Sequence, residues 1–220
     1  MFVRRSLLAF ALALSAVRCA DQPTAVNPPA GPQFLKWAST PKFSARMSRE
    51  RRSGAITMAA PVSVTESSVS FWAVRGEARS IEINYSTSTD TVIKPFYTLT
   101  TTDPVFVPGV GELAVGDSVL MTVTVDTVNI GVTLEPSGLE FGIPAESQIT
   151  YSGAAGDLNG DGAADSTDTV IETRLGLWAP SVSSEAWTPV AATQAVTQQS
   201  FTYGVTKSST YAIAEWAVQY

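Results

Sequence analysis

A two-residue hydrophobic period runs through the chain from residue 57 onward and leaves room for little but strands. Val119, Met121, Val123 and Val125 alternate with Leu120, Thr122 and Thr124. Ile81, Ile83 and Tyr85 alternate with Glu82 and Asn84, and Val69, Phe71 and Ala73 with Ser68, Ser70 and Trp72. Side chains two apart share one face of a strand, so this pattern predicts strands with one face buried. Turn signals separate them: Arg75-Gly76-Glu77, Pro108-Gly109, Gly116-Asp117, Pro136-Ser137-Gly138 and Gly142-Ile143-Pro144. No segment offers a long amphipathic helix. Short strands at this spacing predict an all-β fold, an antiparallel β-sandwich of one or two packed subdomains, 57–130 and 131–220. Trp72, Trp178, Trp187 and Trp216 sit at strand-like positions and are expected in its core, the alternative being an exposed platform for stacking on sugars.

Composition narrows the function. Apolar residues make up 45% of the 220, enough for a core. The chain has no histidine, which removes serine–histidine–carboxylate catalysis and histidine metal sites. Its one cysteine, Cys19, lies near the start, so the body has no disulfide or thiol site. Nine of the 14 Lys and Arg but only two of the 20 Asp and Glu fall in residues 1–52, leaving five cations against 18 acids beyond. A body so acidic repels phosphate backbones, and no nucleic acid is expected as a partner. With only carboxylates left as catalysts and no nucleophile motif, an enzyme is not expected.

Residues 1–19 read as a signal peptide. Arg4 and Arg5 precede the apolar run Leu7–Val17, which as a helix would span about 16 Å, half a bilayer core. The stretch Leu14-Ser15-Ala16-Val17-Arg18-Cys19 resembles a bacterial lipobox, with Arg18 where a small residue is usual. The resemblance implies lipidation of Cys19 and a membrane anchor; cleavage at a nearby small residue is the alternative. An exported protein of the cell surface, outer membrane or periplasm is expected. Residues 20–56, with Pro23, Pro28, Pro29, Pro32 and Pro41 and a basic balance, read as a solvated linker between anchor and body.

One motif carries chemistry. From Asp157 to Asp168 the chain reads DLNGDGAADSTD. Oxygen-bearing side chains fall at positions 1, 3, 5, 9 and 12 (Asp157, Asn159, Asp161, Asp165, Asp168), with Gly162 at position 6 for a sharp turn and the Ala163 carbonyl at position 7. This is the spacing of a loop that wraps one calcium ion, with Asp165 acting through water and Asp168 closing the shell. An all-oxygen set selects calcium over zinc or copper. At most a helical turn is expected after it, because Thr169, Val170, Ile171 and Thr173 are β-branched.

Two resemblances overlap here. The run Gly131–Phe141, then Pro144, Ile149-Thr150-Tyr151, Leu175–Trp178, Trp187–Val190 and Tyr211–Ala214, is similar to the ZU-five domain. That resemblance covers about 131–216 and implies a β-sandwich with a strand at about 173–178. The stretch Gly156–Leu177 is similar to half of a type I dockerin, the calcium-loop module that grips a protein partner through two copies. Ser88–Ile93 repeats Ser166–Ile171, but the residues at its first three ligand positions are Arg79, Ile81 and Ile83, so the chain has one loop. The resemblances imply a structural or binding role, or a carbohydrate- or protein-adhesion module related to a half-dockerin.

Overall fold

The alternation in the sequence becomes a buried and an open face on strand after strand. In a computed structural model, residues 31–50, 56–58, 67–88, 90–181, 184 and 186–216 are described. The first strands are β1 (Pro32–Phe34), β2 (Pro41–Glu50), β3 (Ile56–Met58), β4 (Ser68–Val74) and β5 (Arg79–Thr87). Next come β6 (Lys94–Thr101), β7 (Pro104–Val107), β8 (Gly111–Glu112), β9 (Ser118–Val125), β10 (Gly131–Glu135) and β11 (Glu140–Thr150). A helix, α1 (Ser166–Glu172), precedes β12 (Leu175–Pro180), β13 (Trp187–Val190), β14 (Thr193–Ala195), β15 (Ser200–Lys207) and β16 (Thr210–Trp216).

Two antiparallel sheets pack as a sandwich. The first runs β13-β12-β16-β10-β9-β4, with β1 also beside β16. The second runs β14-β15-β11-β6-β5-β2-β3, with β7 beside β11 and β8 beside β7. β1 and β10 lie end to end along β16: the Leu35 N–H donates to the Ile213 carbonyl (2.9 Å) and the Ile130 N–H to the Leu35 carbonyl (2.7 Å). Buried apolar side chains from Leu35 to Ile213 form one cluster. β10 pairs with both β9 and β16, so position 130/131 divides no core and the described residues build one sandwich.

The solvated linker expected at 20–56 is corrected over residues 31–50, whereas 20–30 and 51–55 lie outside the described residues. β2 pairs with β5 along its whole length, from Pro41 opposite Thr87 to Arg49 opposite Arg79. The reason is again period two. Ala45 is buried and Phe43 and Met47 pack against the core, while Lys42, Ser44 and Arg46 face water. Pro32 and Pro41 each open a strand, where the missing N–H costs no ladder bond. Leu35 and Trp37 reach the interior. The Trp37 ring lies 5.6, 5.2 and 4.9 Å from those of Phe43, Tyr85 and Phe96. Its indole N–H donates to the carbonyls of Asp126 (2.8 Å) and Asn129 (3.0 Å).

The tryptophans expected in the core divide differently. Trp72 and Trp216 are 54% and 49% exposed, Trp187 is half-buried, and Trp178 is buried but on the outer face of its sheet. Trp72 stands between the inward Phe71 and Ala73, so the pleat turns it outward. Gly142-Ile143-Pro144, expected as a turn, lies within β11, whose register shifts between Glu140 and Ala145. A Cβ on Gly142 would run into the Asp103 carboxylate and the Val105 side chain, so the bulge holds because residue 142 has no side chain.

Buried phenols make stability fall at high pH. Burial pushes the Tyr211 hydroxyl up to about 12, that of Tyr151 likewise to about 12, and those of Tyr97 and Tyr203 well above the usual range. Above the unfolded value of 10.0 the unfolded chain releases these protons while the folded chain keeps them. Stability from this source is whole below pH 10 and is lost as pH rises through about 12. Denaturant midpoints should therefore drop between those values, and drop less steeply for Tyr211→Phe; equal slopes would contradict the assignment.

Candidate metal centre

β11 belongs to the second sheet and β12 to the first, so the segment between them bridges the two at one end of the sandwich. A 3-10 turn at Ser152–Ala154 leaves β11, and Ala155 (φ 55°) and Gly156 (φ 85°) reverse the chain in left-handed conformation. Residues 157–168 then form a loop closed by α1. Ile171 is buried in the core and Leu158 packs against it. The Tyr151 hydroxyl donates to Glu172 Oε1 (2.9 Å), and Gln194 Nε2 donates to the Tyr151 hydroxyl (3.2 Å) and the Glu172 carbonyl (3.0 Å). On the other side the Ala38 N–H donates to the Gly153 carbonyl (3.0 Å). The loop is mobile chain in neither flank; both ends are tied to the core.

The helix is longer than the expected single turn. Asp165 caps it, accepting from the Thr167 N–H (2.7 Å), while the Asp168 carboxylate reaches back to the Asp165 N–H (2.7 Å). This reciprocal capping box, with the burial of Ile171, outweighs the weak helix propensity of Thr169, Val170 and Ile171.

Within the loop, side-chain oxygens draw backbone N–H groups inward. Asp157 Oδ1 accepts from the N–H groups of Gly160 (2.7 Å) and Asp161 (3.1 Å), and Oδ2 from that of Gly162 (2.9 Å). Asn159 Oδ1 accepts from the Asp161 N–H (2.9 Å), and the Asn159 amide donates to Asp161 Oδ2 (2.8 Å). Asp161 Oδ1 accepts from the Ala163 N–H (2.9 Å). Gly162 has φ 92°, the left-handed turn that a Cβ would strain. Asp168 is only 4% exposed. Its Oδ1 accepts from the N–H groups of Leu158 (2.7 Å) and Asn159 (3.2 Å), so it latches the start of the loop to the helix. These bonds, the one from Asp165 foremost, hold its carboxyl below the usual carboxylate range.

The structure thus places Asp157, Asn159 and Asp161 on one tight turn, with Asp165 and Asp168 on the cap that closes it. It does not gather the acids further: among the described residues no three His, Cys, Asp or Glu side chains converge closely enough to hold a metal ion. The donor set itself suits a hard cation, being all oxygen. Among the described residues no lysine or arginine pairs with Asp157, Asp161, Asp165 or Asp168. The anchors Gln194 and Gly153 carry no motif of their own, and Tyr151, part of the ZU-five-like run, gives no sign in the sequence that its hydroxyl ties down the helix after the loop. Cys19 and the signal peptide lie outside the described residues, and no described helix is long and apolar enough to cross a membrane. Comparison with protein families, curated proteins and solved structures finds no match to this chain.

Proposed function

We propose that the chain is an exported, lipid-anchored β-sandwich of the bacterial envelope that binds one calcium ion at 157–168 and serves in structure or binding rather than catalysis. The observation that carries this reading is a twelve-residue segment in which Asp157, Asp161, Asp165 and Asp168 accept only from neutral donors, with no lysine or arginine paired to them among the described residues. Like charges gathered on one short segment repel one another, and a cation drawn among them would relieve that repulsion. Asp157, Asn159, Asp161 and the Ala163 carbonyl would supply oxygens to the ion, Asp165 would act through water, and Asp168 would complete the shell. Bound calcium would supply charge neutralisation and nothing redox. The likeness of Gly156–Leu177 to half a dockerin supports the loop reading, and the likeness of 131–216 to the ZU-five domain supports a structural role.

Extracellular calcium modules bind at about 0.1–1 mM. At about 1 mM calcium and a dissociation constant of about 0.1 mM, the folded state gains about 1.4 kcal/mol, or about 4 °C in Tm for a domain of this size. Melting in calcium and in EDTA should show that difference, and Asp157→Ala or Asp161→Ala should abolish it. Identical melts for the unaltered protein would contradict the reading. The anchor is tested separately by the mass of the mature protein taken from membranes. A chain starting at Cys19 and carrying acyl mass is expected; a start elsewhere without that mass would refute the anchor.

A further inference from the structure

The outer face of the first sheet changes character along its width. Over β4, β9 and β10 it bears cross-strand hydroxyl pairs, Ser68 with Thr124 (2.9 Å), Ser70 with Thr122 (2.8 Å) and, toward β16, Thr133 with Thr210 (3.0 Å), beside the exposed Trp72 and Leu120. Over β1, β12, β13 and β16 it is aromatic. Phe34 and Trp187 meet edge to face at 4.6 Å, and Trp178 and Trp216 stack at 5.0 Å with 13° between planes. Tyr211 and Ile213 point into the core, so Ala212 and Ala214 point out. Both alanines are nonetheless buried. The Trp178 indole donates to the Ala214 carbonyl (3.1 Å) and so lies along the sheet.

Between the Phe34–Trp187 pair and the turn at Asp126 and Asn129 runs a hollow of about 110 Å³, flanked by Thr133 and Thr210. Gly131 lines it too, where a Cβ would stand 2.8 Å from the Tyr211 carbonyl. We propose that this hollow is a subsite for a neutral polysaccharide. One wall is aromatic and the other offers an amide, two hydroxyls and a carboxylate, matching a pyranose with an apolar C–H face and a hydroxyl edge. Among the described residues no lysine or arginine lines it, and the one charge among them, Asp126, would repel an anion. Asp126 is held in place by the N–H groups of Val128 (2.8 Å) and Asn129 (3.0 Å) and by the Asn129 amide (3.0 Å), and as the one carboxylate of the lining it falls far short of the about six to eight oxygens that a hard cation takes. An apolar peptide side chain would strip water from the amide and hydroxyls without replacing its hydrogen bonds. The hollow is smaller than the ~300–1,000 Å³ that encloses a whole small ligand, so it fits one ring of a longer chain. The Trp178–Trp216 stack on the same face offers a second ring position.

The proposal goes beyond the calcium reading and does not depend on it. Titration of the full chain with cellohexaose, xylohexaose and mannohexaose, in calcium and again in EDTA, tests it by tryptophan fluorescence and calorimetry. Hexagalacturonate serves as the charged counterpart. At least one neutral hexamer should bind in both buffers, and hexagalacturonate should not. Trp187→Ala should weaken binding about tenfold, the scale of one aromatic contact at a binding hot spot, while Trp72→Ala on the same sheet should not. Thr210→Val, which keeps the shape and removes a hydroxyl, should weaken binding in a chain whose melting is unchanged. Failure of all three neutral hexamers, equal binding of hexagalacturonate, or unaltered binding by Trp187→Ala would each overturn the proposal.

Discussion

Trp37→Ala should lower stability by about 3–5 kcal/mol, the usual cost of emptying a buried tryptophan site, and Tm by about 10 °C. The ring is 9% exposed and sits among Phe43, Tyr85 and Phe96, so its loss opens a cavity that three other rings line. Its indole N–H also ties the turn at Asp126 and Asn129 to the N-terminal segment. Were residues 20–56 only a tether, the substitution would sit in solvent and shift Tm by almost nothing. Thermal or urea denaturation of the variant separates the two outcomes.

Gly153→Ala is expected to cost about 1–3 kcal/mol by overpacking. A Cβ there would overlap the Trp37 ring, which Phe43, Tyr85 and Phe96 hold from other sides. Gly153 does not occupy the left-handed region, so alanine suits its backbone and the cost is steric alone. A double-mutant cycle makes the point sharper. In a Trp37→Ala background the space is free, and Gly153→Ala should be neutral or slightly stabilising, since it also restricts the unfolded chain. Additive costs would mean that the ring and the glycine do not meet.

Much of the sandwich was legible because a strand buried on one side writes its orientation into every second residue. Val69, Phe71 and Ala73, Ile81 and Ile83, and Val119, Met121, Val123 and Val125 are all buried. The same rule, applied strictly, turns Trp72 and Leu120 outward, where they are found; ring size argued for burial and was the weaker guide. β2 was hidden by composition. Prolines and basic residues suggested solvated chain, although the alternation of Phe43, Ala45 and Met47 with Lys42, Ser44 and Arg46 was already present. Proline density is a poor sign of a linker where prolines such as Pro32 and Pro41 stand first in a strand. α1 was understated because propensity counts residues one at a time, whereas Asp165 and Asp168 cap as a pair. The tie of the loop to the core through Tyr151, Glu172 and Gln194 joins residues up to 43 apart and leaves no local pattern to read.

The loop at 157–168 is the centre of the functional account, and calorimetric titration of the protein with calcium tests it most directly. One ion per chain, a dissociation constant on the order of 0.1 mM and the disappearance of the signal in Asp161→Ala are the predicted result. A folded protein that gives no heat at millimolar calcium, or an isotherm that Asp161→Ala leaves unchanged, would contradict it.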